Sequence, residues 1–338
     1  MDNIITNLIS YVALLFIMMV PGIIMKKCRL STEGFGKGLS NLVLYIAQPA
    51  LVFMAYVTEF DMEILKNAAI VLLLSVIMHT AFAVSAVLVF KKAEDSARRM
   101  LMFATVFSNA AFMGIPLIRE ILGNEATIYA TVYNITFNLF LWSLGVYFCT
   151  AKRDMDKDGD IDTHEESMSN AFSSLGKAFI HPVTIAALVG ILFFVLPIDQ
   201  YITNTESPVS YVIFQTLTNL GNLVAPLSMV VIGLRLAEIN FKGFFKDAYT
   251  YLFIAMRHFV LPFITILLIA LFKLIGVNVN ETVSMVLVIM SATPAATSAT
   301  MFAEKFDCDA AYVSKLVAFS TILSIASMPI MVLIANLF

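Results

Sequence analysis

Apolar residues in this chain run in long stretches broken by short polar ones. Ten stretches approach the length that crosses a bilayer: 4–25, 38–57, 67–90, 100–118, 126–150, 178–197, 209–234, 248–272, 282–303 and 314–337. About 20 apolar residues suffice for one helical crossing. Each stretch predicts a helix, because hydrocarbon offers no partner to backbone N–H and C=O groups. Two stretches carry polar interruptions: Ser108-Asn109-Ala110-Ala111-Phe112-Met113-Gly114-Ile115-Pro116, and Ser291-Ala292-Thr293-Pro294-Ala295-Ala296-Thr297-Ser298. Proline donates no amide proton and clashes with the carbonyl four residues back, so both helices are expected to break. Paired breaks in corresponding halves point to a transporter binding site near the bilayer midplane.

Composition agrees: 60% of residues are hydrophobic, 13% are charged, and mean hydropathy is +0.88. A soluble domain carries about 25% charged residues. The first stretch has no basic leader and no small-residue cleavage site, so it reads as a retained helix. The net charge of −3 decides nothing about partners, and nothing suggests nucleic acid. The placement of basic residues decides more. Seventeen of the 21 lie in or beside the loops after the odd-numbered spans; Lys66, Arg119 and Lys273 lie on the other side, and Arg257 is inside a span. The positive-inside rule then predicts a cytoplasmic central loop with both termini outside. Cys28, Cys149 and Cys308 have no metal-ligand spacing, and their odd number in a reducing compartment argues against a disulfide framework.

The two halves resemble each other weakly. Leu39-Ser40-Asn41-Leu42 before Pro49 matches Leu217-Thr218-Asn219-Leu220 before Pro226. Gly123-Asn124-Glu125-Ala126 and Asp307-Cys308-Asp309-Ala310 each follow a broken span. Five spans lie on either side of the central loop, so an inverted-topology repeat is the natural reading.

Four elements in this order resemble the auxin efflux carrier family, which includes plant PIN carriers and bacterial organic-acid carriers. They are Leu44-Tyr45-Ile46-Ala47-Gln48-Pro49-Ala50-Leu51, the Ser-Asn-Ala-Ala-Phe-Met-Gly-Ile-Pro break, Thr293-Pro294-Ala295-Ala296, and Ser324-Ile325-Ala326-Ser327-Met328-Pro329. Ser108 stands where that family usually has glycine. The resemblance implies an all-α membrane protein of ten transmembrane helices. These form two inverted five-helix repeats whose broken fourth and ninth helices cross. The repeats are 1–150 and 178–338, joined by a cytoplasmic loop at 151–177. It also implies a scaffold (4–57 and 178–234), a moving transport bundle (67–150 and 248–338), homodimerisation through the scaffold, and elevator-type movement.

A helix break presents unpaired amides and a positive dipole end to an anion. Ser108, Asn109, Ser291 and Thr293 add donors at that depth, and Pro116 and Pro294 make the breaks. Asn109 matches the family's asparagine before its proline. Asn134 and Asn138 share one helix face, which lines a substrate path or makes interhelical hydrogen bonds. Gln48 can close the site from the scaffold. Arg257, deep in a span, either attracts an anionic substrate or anchors carbonyls at a broken helix end. His79 lies at comparable depth and is a candidate for proton coupling. No Asp or Glu lies in any expected span, which argues against an ion site built on a buried carboxylate.

The central loop holds a different motif. Asp154-Met155-Asp156-Lys157-Asp158-Gly159-Asp160-Ile161-Asp162-Thr163-His164-Glu165 follows the twelve-residue calcium loop of an EF-hand. Asp154, Asp156, Asp158 and Asp162 stand at oxygen-ligand positions, Gly159 at the sharp turn and Glu165 at the bidentate end, with Asp160 adding a further carboxylate. Calcium is therefore a candidate cofactor; a solvated acidic linker is the plainer reading. The resemblance does not imply this element.

These features together predict a secondary carrier of small organic anions, auxin-like or dicarboxylic acids, in the plasma membrane. The alternatives are a calcium-responsive membrane sensor and a passive channel. A membrane enzyme is not expected: no carboxylate pair, HExxH, phosphate-cradling loop or Ser-His constellation appears.

Overall fold

The computed structural model describes residues 2–32, 34–151, 164–196, 207–240, 244 and 247–335, and among them it is helical with no named strand. The helices are α1 (Asp2–Lys27), α2 (Phe35–Ala55), α3 (Met62–Phe90), α4 (Asp95–Val106), α5 (110–122) and α6 (124–150). They continue as α7 (His164–Ile180), α8 (Pro182–Val195), α9 (Pro208–Leu236), α10 (Ala248–Leu274), α11 (Glu281–Ala292), α12 (Ser298–Lys305) and α13 (Ala310–Ala335). Among the described residues, seven helical stretches are long and apolar enough to cross a membrane, one of them being α5 and α6 taken together. The bent pair α7–α8 adds an eighth. Exposed Ile17, Leu73, Leu88, Leu192 and Leu271 give these helices apolar outer faces suited to lipid.

Local chemistry explains where helices stop. Gly123 takes φ 85° and ψ −166°, a conformation closed to other residues, and separates α5 from α6. Pro182 cannot continue α7, so the chain turns by 54° between Ile180 and Pro182. The apolar run at 178–197 is therefore not one straight helix, as its hydropathy suggests, but a bend followed by α8. The expected spans at 100–118 and 282–303 are each two short helices: α4 and α5, α11 and α12.

Four π-helical turns lie within the long helices, at Val43–Ala47, Ala110–Gly114, Leu141–Gly145 and Met256–Val260. Three are followed two residues later by proline: Pro49, Pro116 and Pro262. A proline leaves a carbonyl on the preceding turn without its donor, and widening that turn is one way to accommodate it. These turns carry Tyr45, Phe112, Trp142 and Arg257.

Packing falls into two groups. In the first, α1 lies along the second half of α9, and the end of α2 packs on α8 and on the first half of α9. The α1–α9 crossing is backbone to backbone: a Cβ on Gly22 would strike the Val230 carbonyl, and one on Gly233 the Met19 carbonyl. In the second, α3 packs on α4 and on the α5–α6 stretch, while α11 packs on that stretch, α10 and α13, and α12 packs on α13. The site lies between these groups.

Candidate functional site

The two interruptions meet. Beyond α4, Phe107 is extended (φ −91°, ψ 116°), and beyond α11, Thr293 is extended too (φ −60°, ψ 151°). Extended backbone can pair with extended backbone, and here it does. Ser108 and Ala295 lie opposite each other as an antiparallel pair. The Asn109 amide donates to the Pro294 carbonyl at 2.7 Å, and the Ala296 amide to the Phe107 carbonyl at 2.9 Å. Backbone groups released by the breaks thus satisfy one another. The Ala295 amide donates to Ser320 Oγ at 3.0 Å. Ser320 Oγ is also 2.9 Å from His258 Nε2, and His258 Nδ1 is 2.7 Å from Ser327 Oγ. A chain of side-chain hydrogen bonds from α13 and α10 therefore holds the crossing in place.

Arg257 occupies the negative ends of the broken helices. It is fully buried. Nε donates to the Thr293 carbonyl at 3.1 Å, and Nη2 to Ser291 and Thr293 carbonyls at 2.6 and 2.9 Å. Nη1 donates to the Thr105 carbonyl at 2.8 Å. One guanidinium thus caps the C-termini of α4 and α11 together, where helix dipoles place partial negative charge. Of the two roles the sequence allowed, this geometry is that of the carbonyl anchor; Arg257 is not on the wall of the cavity described next.

The N-terminal ends of α5 and α12 open onto a cavity of about 280 Å³. Its wall includes Asn109 and Ala111 from the first break, Thr297 and Ser298 from the second, Gln48 and Tyr45 from α2, and Arg235 from α9. Asn134, Phe137, Asn138 and Trp142 from α6, Phe112, Phe302 and Lys305 complete much of it. Among the described residues, no Asp or Glu lines it. Both nitrogen and oxygen of the Gln48 carboxamide, Asn109 Nδ2, Asn134 Oδ1 and the Trp142 indole nitrogen are buried there without a partner among the described residues. Buried polar atoms nearly always find a partner, so such a convergence marks a place prepared for a ligand or for water.

Five residues expected from the sequence are thereby brought together: Gln48, Ser108, Asn109, Asn134 and Asn138. Asn138 also donates to Thr184 Oγ1 at 3.3 Å, the interhelical bond that was its alternative. Pro116, Ser291, Thr293 and Pro294 are not on the wall. Ser291 and Thr293 hydroxyls bond back to Val288 and Met290 carbonyls of their own helix, and their own carbonyls receive Arg257. His79 is also off the wall, its Nδ1 2.7 Å from the Ser75 carbonyl and its ring set among Phe82, Tyr133, Phe137 and Phe140. The side chains of the calcium-loop residues Asp154, Asp156, Asp158, Asp160, Asp162 and Glu165 lie outside the described residues. Among the described residues, no group of three or more His, Cys, Asp or Glu is placed to hold a metal.

Sequence reasoning missed Trp142, Arg235 and Lys305. Trp142 is the sole tryptophan of the chain, and the Lys305 ammonium stands 5.2 Å from its ring centre. Neither cation lies in an interruption; both come to the wall through tertiary packing.

Residues 7–332 match the family described as membrane transport protein. The chain is also 24% identical over 316 residues to an uncharacterized transporter of Methanothermobacter thermautotrophicus, covering 93% of this chain and 94% of that one. With that match spanning nearly its whole length, the chain belongs to the membrane transport protein family, that of the auxin efflux carriers, and is an integral membrane transporter.

Proposed function

We propose that the protein is a secondary carrier of small organic anions, such as auxin-like or dicarboxylic acids, and that the cavity between the two packing groups is its substrate site. One observation carries this reading: neutral donors and the positive ends of two broken helices converge on a cavity that, among the described residues, has no carboxylate on its wall. Such a wall stabilises a carboxylate through amide donors and dipoles, and Phe112, Phe137 and Phe302 suit an apolar body. On this reading the chain crosses the bilayer ten times as two inverted repeats. Helices α1, α2, α8 and α9 form a fixed scaffold that also dimerises, and the remaining helices rise and fall against it as an elevator. Both termini face outward across the plasma membrane, and the chain carries its substrate without altering it.

Purified protein in proteoliposomes tests this by counterflow of labelled carboxylates. Exchange of one acid, abolished in Asn109→Ala and Gln48→Ala, is the expected result; exchange unaffected by both substitutions refutes the site.

A calcium-responsive role rests on the spacing of the loop at 154–165. There, calcium is expected to raise the melting temperature, and Glu165→Gln to abolish the rise by removing the bidentate ligand. A calcium effect with no carboxylate exchange would favour the sensor reading.

A further inference from the structure

Amide donors and helix dipoles favour an anion in the cavity without drawing it in from outside, and Arg257 has none of its donors to spare. Two other cations stand on the cavity wall, Arg235 on α9 and Lys305 on α12. Among the described residues the Arg235 guanidinium makes no hydrogen bond or ion pair, although its side chain is half-buried. The acid nearest it in sequence is Glu238, one turn along, which pairs with Lys26 of α1. Glu304, beside Lys305, lines an outer space at the basic end of the molecule but not the inner cavity.

Arg235 also has an unusual position. It lines the inner cavity, the outer space bounded by Lys26, Lys37, Glu238 and Glu304, and a third cavity of about 380 Å³ against α13 that Glu238 also borders. It therefore stands where the inner cavity meets the spaces around it. Lys305 borders the inner cavity and the outer space, with its ammonium over the Trp142 ring. A cation that makes no ion pair among the described residues, at the junction of low-dielectric walls, focuses an attractive field on anions.

We propose that Arg235, assisted by Lys305, is the specificity-determining cation of the site: it draws an organic anion into the inner cavity and holds its charged end toward the basic end of the molecule. The apolar body then lies inward, against Phe112, Phe137 and Phe302. Because Arg235 sits on α9 and Lys305 on α12, the bound anion links the two packing groups. This inference rests on the cavity being the substrate site, yet its test requires no cargo.

Trp142 supplies the readout, because it is the only tryptophan and lies on the cavity wall. Its fluorescence would be quenched by iodide, by caesium and by neutral acrylamide at constant ionic strength. The expected result is stronger quenching by iodide than by caesium, with iodide quenching lowered about twofold or more in Arg235→Gln and again in Arg235→Gln/Lys305→Gln. Arg235→Lys should restore it, since the charge and not the fork is what attracts iodide. Lys37→Gln, which removes a cation from the outer space only, should leave it unchanged. Acrylamide quenching reports whether the cavity is intact in each variant. Iodide quenching equal in wild type and Arg235→Gln, or lowered as much by Lys37→Gln, overturns the proposal. Either result leaves the substrate site itself to be judged separately, by counterflow in Asn109→Ala.

Discussion

Replacing Arg257 with methionine should unfold the crossing before it affects any binding step. The substitution keeps an unbranched side chain but removes every donor. Carbonyls of Thr105, Ser291 and Thr293 would lose their bonds to a guanidinium in a site with no exposure to solvent. A buried polar group left without a partner costs about 1–3 kcal/mol. Three such carbonyls, relaxing in part toward each other, give a loss on the order of 3–5 kcal/mol, the range seen when one member of a buried charged contact is removed. At about 2–4 °C per kcal/mol this is a fall in melting temperature on the order of 10 °C. Thermal unfolding of the detergent-solubilised protein measures it. Arg257→Lys should fall between wild type and methionine, because an ammonium keeps the charge at the two negative helix ends but cannot fork across both. The reasoning is refuted if Arg257→Met melts within a degree or two of wild type while transport alone is lost. That outcome would make Arg257 a substrate ligand after all.

Gly233→Ala puts a methyl against the Met19 carbonyl where α1 and α9 touch. Overpacking of this kind costs about 1–3 kcal/mol, so its melting temperature should drop, whereas Gly38→Ala, with open space around it, should not. Ser320→Ala removes the acceptor of the Ala295 amide and a partner of His258; the expected loss is about 1–3 kcal/mol, read as faster amide exchange at 295–297. Asn109→Asp sets a carboxylate at the start of α5, where the dipole favours it by about 0.3–1 kcal/mol. It should melt no lower than Asn109→Ala and abolish anion exchange; retained exchange would falsify the anion-binding polarity of that end.

The breaks were legible in the sequence because their cause is local. Pro294 stands at the second break, and the polar residues beside both breaks cannot face lipid. Pro116, expected to make the first break, lies inside α5, and the chain leaves the helix upstream of it, at Phe107 to Asn109. What fills the gap was only partly legible. Gln48, Ser108, Asn109, Asn134 and Asn138 come together as expected, because each is a polar residue stranded in an apolar run. Hydropathy treated 178–197 as one rod, since a proline between apolar neighbours scores as part of the run; the 54° bend is visible only once φ is fixed. Arg257 was found but its partners were not: the Thr105 carbonyl it bonds is 152 residues away, and a carbonyl carries no sequence signal. Arg235 and Lys305 look in sequence like ordinary basic residues at a helix end. Only packing puts one beside the other's cavity.

The crossing sorts helix ends by sign. Both C-terminal ends, α4 and α11, point to one guanidinium, and both N-terminal starts, α5 and α12, open on one cavity. A cation sealed among carbonyls is already balanced and offers little to a distant anion. The starts of α5 and α12 keep their polarity where, among the described residues, no carboxylate lies on the wall to cancel it. On the proposed reading, this arrangement lets the site favour an anion without sealing an unpaired charge inside it in the empty state, which would cost several kcal/mol. It also explains why one arginine is sealed and the other is not. Arg257 must stay dry to hold the backbone, whereas Arg235 is only partly buried, where an empty site costs less and a passing anion is within reach of its field.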